Sequence, residues 1–270
     1  MRWFLTFIAT FCISMLSWAA APTKVLLVGQ GPDGHPFGTH EYAPGMDILA
    51  ALLKDVPNLE ILTVRADGPW KEGPELLARV DGVVLFVSEG ARWIDADPAR
   101  RKAFDELAQR GGGVAVLHWA MGTKDADPID NFLRLAGGCH GGPDRKYQVL
   151  PKAQVRVVDP KSPITAGIQD FTAREEFYYR LKFVQPGGSV KPLLQVPIDG
   201  QIETVCWSWE RSNGGRSFGF SGLHFHDNWT KPEYRRLIAQ GTLWTLKLPV
   251  PEKGLNVEID EEVLRLKKRE

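Results

Sequence analysis

Six histidines are the residues of this sequence whose type and spacing suit chemistry. Neutral imidazole transfers protons near pH 7 and is a common ligand of transition metals. A single histidine is more often structural than catalytic, because imidazole readily forms structural hydrogen bonds. Here most of them follow predicted strands, so we expect several to meet at one edge of a sheet. They are His35, His40, His118, His140, His224 and His226.

His118 occupies a distinctive position. It follows the apolar run Val114–Leu117 directly and precedes a predicted helical turn. In α/β hydrolases a strand-to-helix turn of this kind presents the nucleophile. Because the residue here is histidine, the position favours a base or a metal ligand. The structural alternative is that His118 only caps the following helix.

His224 and His226 are separated by one residue, so their side chains share a side of an extended backbone. An H-x-H pair is compatible with metal binding, but a carboxylate would have to complete the ligand set. Asp227 is adjacent, and Glu175 and Glu176 are the best candidates elsewhere. The alternative for the two glutamates is a solvated turn.

Short apolar strands alternate with helices through the first half of the chain, which predicts βα units and a mostly parallel sheet. Ligands of such sheets bind beyond the carboxyl ends of the strands. After Pro151 we expect a β-rich, partly antiparallel portion, followed by a helix capped by Thr230. The predicted strands cover 24–29, 59–64, 82–87, 114–117, 153–158, 177–184, 193–196, 202–210 and 216–221.

The N-terminus has the pattern of a secretory signal peptide over residues 1–19. Arg2 precedes an apolar run that ends in small residues, with cleavage expected after Ala19. We therefore expect an exported protein, periplasmic or secreted. The apolar run is shorter than the roughly 20 residues of a spanning helix, so no stable membrane insertion is expected after cleavage. A retained N-terminal anchor is the alternative.

Charge and cysteine content narrow the classes of partner. Lys plus Arg and Asp plus Glu both number 33, so nothing in the net charge favours a nucleic acid as partner. Cys139 and Cys206 remain after signal cleavage and could pair in an oxidising compartment. Their simpler interpretation is as small buried side chains. The oligomeric state is not determined by the sequence.

Several segments together resemble the ThuA-like (trehalose utilisation) family. The resemblance spans nearly the whole mature chain, and its expanded His-containing first loop is similar to that of the exported branch. On this resemblance we expect a ThuA-like domain at residues 22–249 and a polar C-terminal tail at residues 250–270. The segments are Gly34-His35, His40–Tyr42, Leu117–Ala120, Gly137-Gly138, Ser162–Ile168, Glu175–Tyr178, Gly214–His226 and Gly241–Trp244.

The resemblance implies a fold and a field of chemistry. The fold is a mostly parallel sheet flanked by helices, flavodoxin-like or class I glutamine amidotransferase-like, with a partly antiparallel C-terminal portion. The family is linked to the catabolism of trehalose and other disaccharides, often beside oxidoreductases that make 3-keto sugars. Amidotransferases of this fold place a cysteine at the turn where this chain has His118, which argues against glutamine hydrolysis through a thioester. The family's Asp-Glu pair corresponds to Glu175-Glu176, with Glu176 at the functional position.

These observations predict an enzyme that performs acid–base chemistry, as a lyase, isomerase or hydrolase, on a disaccharide or 3-keto-glycoside. A divalent metal, with zinc as the first candidate, would assist this chemistry, and no nucleotide cofactor is expected. The alternative is a non-catalytic periplasmic carbohydrate-binding protein, and an amidotransferase-like hydrolase would need a reactive Cys139. The predicted roles are catalysis by His118, Glu176 and His226, metal ligation by His35, His40, His224 and His226, and substrate binding by Glu41, Trp119 and Trp229.

Overall fold

A nine-stranded mixed sheet forms the centre of the protein. The computed structural model describes residues 21–185 and 190–267, so the predicted signal peptide lies outside the described residues. The strands of the first half of the chain are β1 (Thr23–Gly29), β2 (Leu59–Arg65), β3 (Gly82–Phe86) and β4 (Gly113–Leu117). The helices between and after them are α1 (Tyr42–Leu53), α2 (Gly73–Ala78), α3 (Gly90–Asp95), α4 (Pro98–Gln109) and α5 (Ile129–Ala136).

The remaining strands divide between the large sheet and a small one. In chain order they are β5 (Gly122–Thr123), β6 (Gly138–Gly141), β7 (Lys146–Val157), β8 (Phe171–Tyr179), β9 (Lys182–Phe183), β10 (Val190–Ile198), β11 (Gln201–Glu210) and β12 (Arg216–Phe220). The large sheet has the order β2-β1-β3-β4-β12-β11-β10-β7-β8, and the small sheet the order β5-β6-β9. The last helices are α6 (Pro232–Thr245) and a single turn, α7 (Glu261–Leu264).

The large sheet has a parallel half and an antiparallel half. From β2 through β12 every pairing is parallel, and from β12 through β8 every pairing is antiparallel. Every residue of β3 and β4 is buried, as expected for parallel strands covered by helices on both faces. The predicted α/β architecture with a partly antiparallel later portion is therefore confirmed.

Each face of the sheet carries its own apolar core. Val25 and Leu27 of β1 belong to one core, whereas Leu26 and Val28 belong to the other. This division follows from the two-residue repeat of a strand, which sends successive side chains to opposite faces.

Several predicted elements differ from the structure in their bounds or caps. The strand predicted over 153–158 lies at the end of a longer strand, Lys146–Val157. The strand predicted over 177–184 is two strands in different sheets, because the chain turns at Arg180, whose φ is 53°. Thr230 does not cap α6, since its hydroxyl donates a hydrogen bond to the Asp227 carbonyl oxygen at 2.6 Å and Lys231 is the N-cap residue. At Thr230 a local hydrogen bond replaces the predicted cap, whereas at Arg180 the chain leaves the large sheet for the small one.

The C-terminal segment after α6 packs onto the domain. Arg235 Nε donates to the Val257 carbonyl oxygen at 2.9 Å, and the Leu255 N–H donates to Gln240 Oε1 at 2.7 Å. Val257 is buried. The carbonyl oxygen of Leu264 in this segment lies 3.0 Å from Nε2 of His226.

In the part of the chain that the structure describes, no helix is long and apolar enough to cross a membrane.

Candidate metal centre

Four potential metal ligands converge beyond the carboxyl ends of the parallel strands. His40 lies in the loop after β1, His118 directly follows β4, and His224 lies in the loop after β12. Glu176 reaches them from β8 in the antiparallel half. The ligand atoms of these four side chains all lie within 4.8 Å of one another. We refer to them as the metal-ligand group.

Three distances within this group are close to those expected between ligand atoms that share one zinc-sized ion. His40 Nε2 lies 3.1 Å from His118 Nε2 and 3.1 Å from His224 Nδ1. Glu176 Oε1 lies 3.4 Å from His224 Nδ1. Zinc binds imidazole nitrogen at about 2.0–2.1 Å, which separates tetrahedral ligand atoms by about 3.3 Å. The donor set therefore fits a zinc-type ion in size and in chemistry.

A backbone carbonyl sets the tautomer of His118. His118 Nδ1 lies 2.8 Å from the Ser221 carbonyl oxygen, and since a carbonyl only accepts, Nδ1 carries the proton. Burial lowers the pKa of His118 well below its ordinary value, so the ring is neutral. Its Nε2 therefore presents a lone pair to the metal-ligand group.

Asp33 sets the tautomer of His40 in the same way. His40 Nδ1 lies 3.0 Å from Asp33 Oδ2 and 2.7 Å from the Tyr42 hydroxyl, which itself donates to Asp33 Oδ2. Burial acts to raise the pKa of Asp33, but the hydrogen bonds from His40 and Tyr42 outweigh it and hold that pKa far below its usual range. The ionised Asp33 thus accepts a hydrogen bond from the Nδ1–H of His40, which leaves a lone pair on Nε2.

Two lone pairs then face each other across 3.1 Å, on Nε2 of His40 and on Nε2 of His118. Neither nitrogen can donate to the other, but both can bind one cation. A histidine that binds a metal through one ring nitrogen usually donates a hydrogen bond from the other to a carboxylate or a backbone carbonyl. Here Asp33 accepts from His40, and the Ser221 carbonyl oxygen accepts from His118. The tautomers therefore support a shared ion more strongly than the distances alone.

The backbone at two of the ligands is strained. The φ angles of His40 and His118 are 52° and 49°, in the left-handed region that side chains other than glycine rarely adopt. Such a residue costs on the order of 1–3 kcal/mol, and strain of this kind clusters at functional sites. At His118 it produces the sharp turn after β4, and no side-chain cap is formed there, which excludes the capping alternative.

Glu175 anchors the loop that carries His224. It is fully buried, and its carboxylate accepts hydrogen bonds from the N–H groups of Leu223 at 2.7 Å and His224 at 3.1 Å. Asn228 Nδ2 donates to it at 3.0 Å. Glu176 is its neighbour on β8 and therefore points to the other face of the strand. Both glutamates lie inside β8 and are buried, so the alternative of a solvated turn is wrong.

A small cavity of about 220 Å³ opens beside the metal-ligand group. Trp119, Tyr147 and Tyr178 supply its aromatic lining. The Tyr178 hydroxyl lies 3.1 Å from His118 Nε2, and burial raises the pKa of Tyr178 well above its ordinary value, so it stays a donor. The Tyr147 side chain is 60% exposed at the mouth of the cavity.

The other predicted site residues lie at varying distances from the group. His35 stacks on His40 with ring centroids 3.6 Å apart and forms a second potential cluster with Asp33 and His40. His226 points away, with Nε2 3.0 Å from the Leu264 carbonyl oxygen. Trp119 lines the cavity, whereas Glu41 accepts a hydrogen bond from the Gly38 N–H and Trp229 is 1% exposed in the core. The roles assigned to them from the sequence stay predictions.

Sequence reasoning missed three residues that matter here. Asp33 lies in the loop after β1 and Tyr42 is the first residue of α1, so both are near His40 in sequence, and this proximity is the available signal. Tyr178 follows Glu176 by two residues on β8, so the strand repeat places both side chains on one side. That spacing predicts their common position once β8 is recognised as a strand.

Cys139 and Cys206 are free and buried, so they do not pair. Burial raises the pKa of Cys139 to about 12, which leaves almost no thiolate at neutral pH.

Residues 26–245 match the sequence model of a protein family described as ThuA: Trehalose utilisation. The chain belongs to this family. The resemblance inferred from the sequence motifs is thereby confirmed. No protein of established function among the curated sequences matches.

Solved structures of ThuA-like proteins share the fold. One from Bacteroides uniformis ATCC 8492 is 17% identical with a TM-score of 0.63, over 84% of this chain and 93% of that chain. One from Parabacteroides merdae ATCC 43184 is 17% identical with a TM-score of 0.61, over 83% of this chain and 90% of that chain. The glutaminase domain of Trypanosoma brucei CTPS with bound acivicin is 12% identical with a TM-score of 0.48, over 88% and 100% of the two chains. At these identities the first two likenesses show the fold alone.

Proposed function

We propose that this ThuA-family protein is a metal-dependent enzyme that performs acid–base chemistry on a carbohydrate, a disaccharide or a 3-keto-glycoside. The observation that supports it most is the metal-ligand group, three imidazole nitrogens and one carboxylate oxygen within 4.8 Å. Two of its rings have tautomers fixed by hydrogen-bond partners, the half-buried Asp33 and the Ser221 carbonyl oxygen. The carbohydrate follows from the family's description.

The composition of the ligand set favours catalysis over a structural role. Structural zinc sites are closed and usually contain cysteine. The present set contains no cysteine, and His40, Glu176 and His224 all line the cavity. These four side chains would hold a divalent ion, which would supply a Lewis acid for a carbonyl or hydroxyl oxygen of the substrate.

Ligation reassigns two residues. The sequence predicts His118 and Glu176 as base and acid. Because both belong to the metal-ligand group, we propose that they act as ligands instead. Tyr178 then becomes the candidate donor of a hydrogen bond to a substrate oxygen, since its protonated hydroxyl lies beside His118 Nε2. A hydrogen bond donated by this hydroxyl to a ketone oxygen would stabilise negative charge that develops on that oxygen.

The aromatic lining supports a sugar as substrate. Ligand pockets combine aromatic side chains with a few placed polar groups, and an exposed aromatic ring offers a flat apolar face to a ligand. Tyr147 is 60% exposed and lines the cavity. The same feature would serve a non-catalytic carbohydrate-binding protein, so the experiment has to separate binding from turnover.

The test is turnover of a 3-keto-glycoside and of its parent disaccharide by protein that has been stripped with a chelator and reloaded. We expect turnover with the reloaded protein, and none with the stripped protein or with loaded Tyr178→Phe and His118→Ala. Lys102→Gln, a change in an exposed ion pair on α4, is the control and should behave as wild type. Sugar binding without turnover in the loaded protein would overturn the enzyme assignment and favour the binding protein.

A further inference from the structure

The cavity beside the metal-ligand group is lined by two cationic side chains, Lys124 and Arg145. The backbone N–H of Lys124 donates to Glu89 Oε1 at 2.7 Å. Lys124 follows β5, and Arg145 lies just before β7. Among the described residues neither forms an ion pair, and the hydrogen bond of the Arg145 side chain goes to the Gly142 carbonyl oxygen at 3.2 Å. The acidic neighbour Asp144 is paired with Lys182 at 2.9 Å.

Acidic groups are scarce in the same lining. Of the described residues that line the cavity, Glu176 is the one with a carboxylate, and it belongs to the metal-ligand group. Arginine and lysine that line a cavity without a protein carboxylate to neutralise them favour an anionic ligand. The guanidinium fork also matches a carboxylate in two-point geometry.

His140 gives an independent sign of a ligand. It is 1% exposed, lines the cavity, and both of its ring nitrogens lack a hydrogen-bond partner among the described residues. Its ring stacks on Tyr178 with centroids 4.1 Å apart. A buried polar group without a hydrogen-bond partner costs on the order of 1–3 kcal/mol. A ligand that accepts a hydrogen bond from the N–H of His140 would remove that cost.

His140 meets the ligand as a neutral ring. Burial lowers its pKa to about 3, and the positive charges of Arg145 and Lys182 act in the same direction. A neutral imidazole keeps one N–H donor and one lone pair at every pH near neutrality. Together with the Tyr178 hydroxyl it adds neutral donors to the two cations.

We propose that this cavity binds a carboxylate, so that the substrate class is acidic carbohydrates, sugar acids or glycosides of them. Arg145 and Lys124 provide the charge, and His140 provides a hydrogen bond from inside. The inference rests on the proposed function, because it names the substrate of the same site. The cavity has the volume of about seven liquid waters, which suits one sugar ring, with any second ring extending past Tyr147.

The experiment is calorimetric titration of the zinc-loaded protein with D-glucuronate, D-glucose and D-glucose 6-phosphate at one ionic strength. We expect glucuronate to bind at least about tenfold more tightly than glucose. Arg145→Gln and Lys124→Gln should each weaken glucuronate binding by about tenfold or more, the loss typical of a hydrogen bond to a charged group. Their affinity for glucose should not change. Lys102→Gln is the matched control for loss of one positive charge.

Several outcomes would overturn the inference. These are equal affinity for glucuronate and glucose, no measurable binding of glucuronate, tighter binding of the phosphate than of the carboxylate, or a preference for glucuronate that survives both substitutions. Zinc content is measured on the same samples. Absence of zinc would contradict the proposed function, whereas the effect of the two substitutions on binding would still decide the carboxylate assignment.

Discussion

Asp33 determines the orientation of two imidazoles at the site. Its Oδ2 lies 3.0 Å from Nδ1 of His40, and its Oδ1 lies 2.7 Å from Nδ1 of His35. Carboxylate partners of this kind fix the tautomer of a metal ligand and raise its basicity. The metal affinity of His40 therefore depends on a residue that is not itself in the metal-ligand group.

Asp33→Asn is expected to weaken zinc binding by about 10–100-fold, the usual effect of losing such a partner. The amide of asparagine supplies one acceptor oxygen where the carboxylate supplies two. Competition with a chromophoric chelator measures the dissociation constant. Asp105→Asn, an exposed change on α4, is the control, and an unchanged affinity in Asp33→Asn would contradict the role of Asp33.

Cys139 is expected to be unreactive in the folded protein. A thiol with a pKa of about 12 has almost no thiolate at neutral pH, and the side chain is buried. Iodoacetamide should therefore leave Cys139 and Cys206 unlabelled until the protein is unfolded in denaturant. Rapid labelling of native Cys139 would contradict this and would restore the amidotransferase-like hydrolase.

At the residue scale the sequence predicts which side chains meet better than what each does. His40, His118 and His224 were identifiable because each follows a parallel strand. The tautomers and the strained φ angles of His40 and His118 depend on tertiary contacts, which no local pattern encodes. For the same reason, the sequence offered no basis for preferring His224 over His226 within the H-x-H pair.

At the scale of elements, β8 and the loop after β12 form one unit. Glu175 joins them through hydrogen bonds from Leu223, His224 and Asn228. Because Glu175 and Glu176 are adjacent on one strand, one fixes the loop and the other faces the metal-ligand group. The position of His224 thus depends on a carboxylate buried on the opposite face of β8.

Glu175→Ala should lower the free energy of unfolding by about 3–5 kcal/mol, since it leaves several buried donors without an acceptor. Urea unfolding of the metal-free protein measures the change. Glu106→Gln, which breaks an exposed ion pair on α4, should change stability by less than about 1 kcal/mol. Equal midpoints for Glu175→Ala and wild type would show that the carboxylate does not hold the loop.

Strand prediction was reliable where the apolar pattern was uninterrupted and failed at a turn. The runs that became β3 and β4 are continuous and fully buried. The aromatic run from Phe177 also reads as one strand through Val184, yet the exposed Arg180 adopts a positive φ and ends it. After this turn β9 pairs with β6, and the secondary-structure propensity of the local residues does not predict that pairing.

At the scale of the whole molecule, the site requires both halves of the sheet. The histidines come from the parallel half, which the alternation of strands and helices predicts. Glu176 comes from β8, four positions from β12 in the order of strands, and β8 also contacts β11. The sheet must therefore curve to bring β8 back, and such long-range curvature is not predictable from local sequence.

The C-terminal segment belongs to the folded unit. Removal of residues 250–270 should lower the free energy of unfolding by several kcal/mol, because Arg235 and Gln240 each lose a buried hydrogen-bond partner and Val257 leaves the core. Denaturant unfolding compares the shortened protein with the full chain. An unchanged midpoint would mean that the segment is a dispensable tail.

The zinc content of purified protein after loading and dialysis, measured by elemental mass spectrometry, tests the metal centre most directly. We expect about one zinc ion per chain in the wild type and in His226→Ala, and substantially less in His118→Ala and His224→Ala. His226→Ala separates the two interpretations of the H-x-H pair. The sequence pattern predicts a metal ligand at His226, whereas in the structure Nε2 of His226 lies 3.0 Å from the Leu264 carbonyl oxygen. Full zinc occupancy in His118→Ala and His224→Ala, or none in the wild type, would contradict the metal centre.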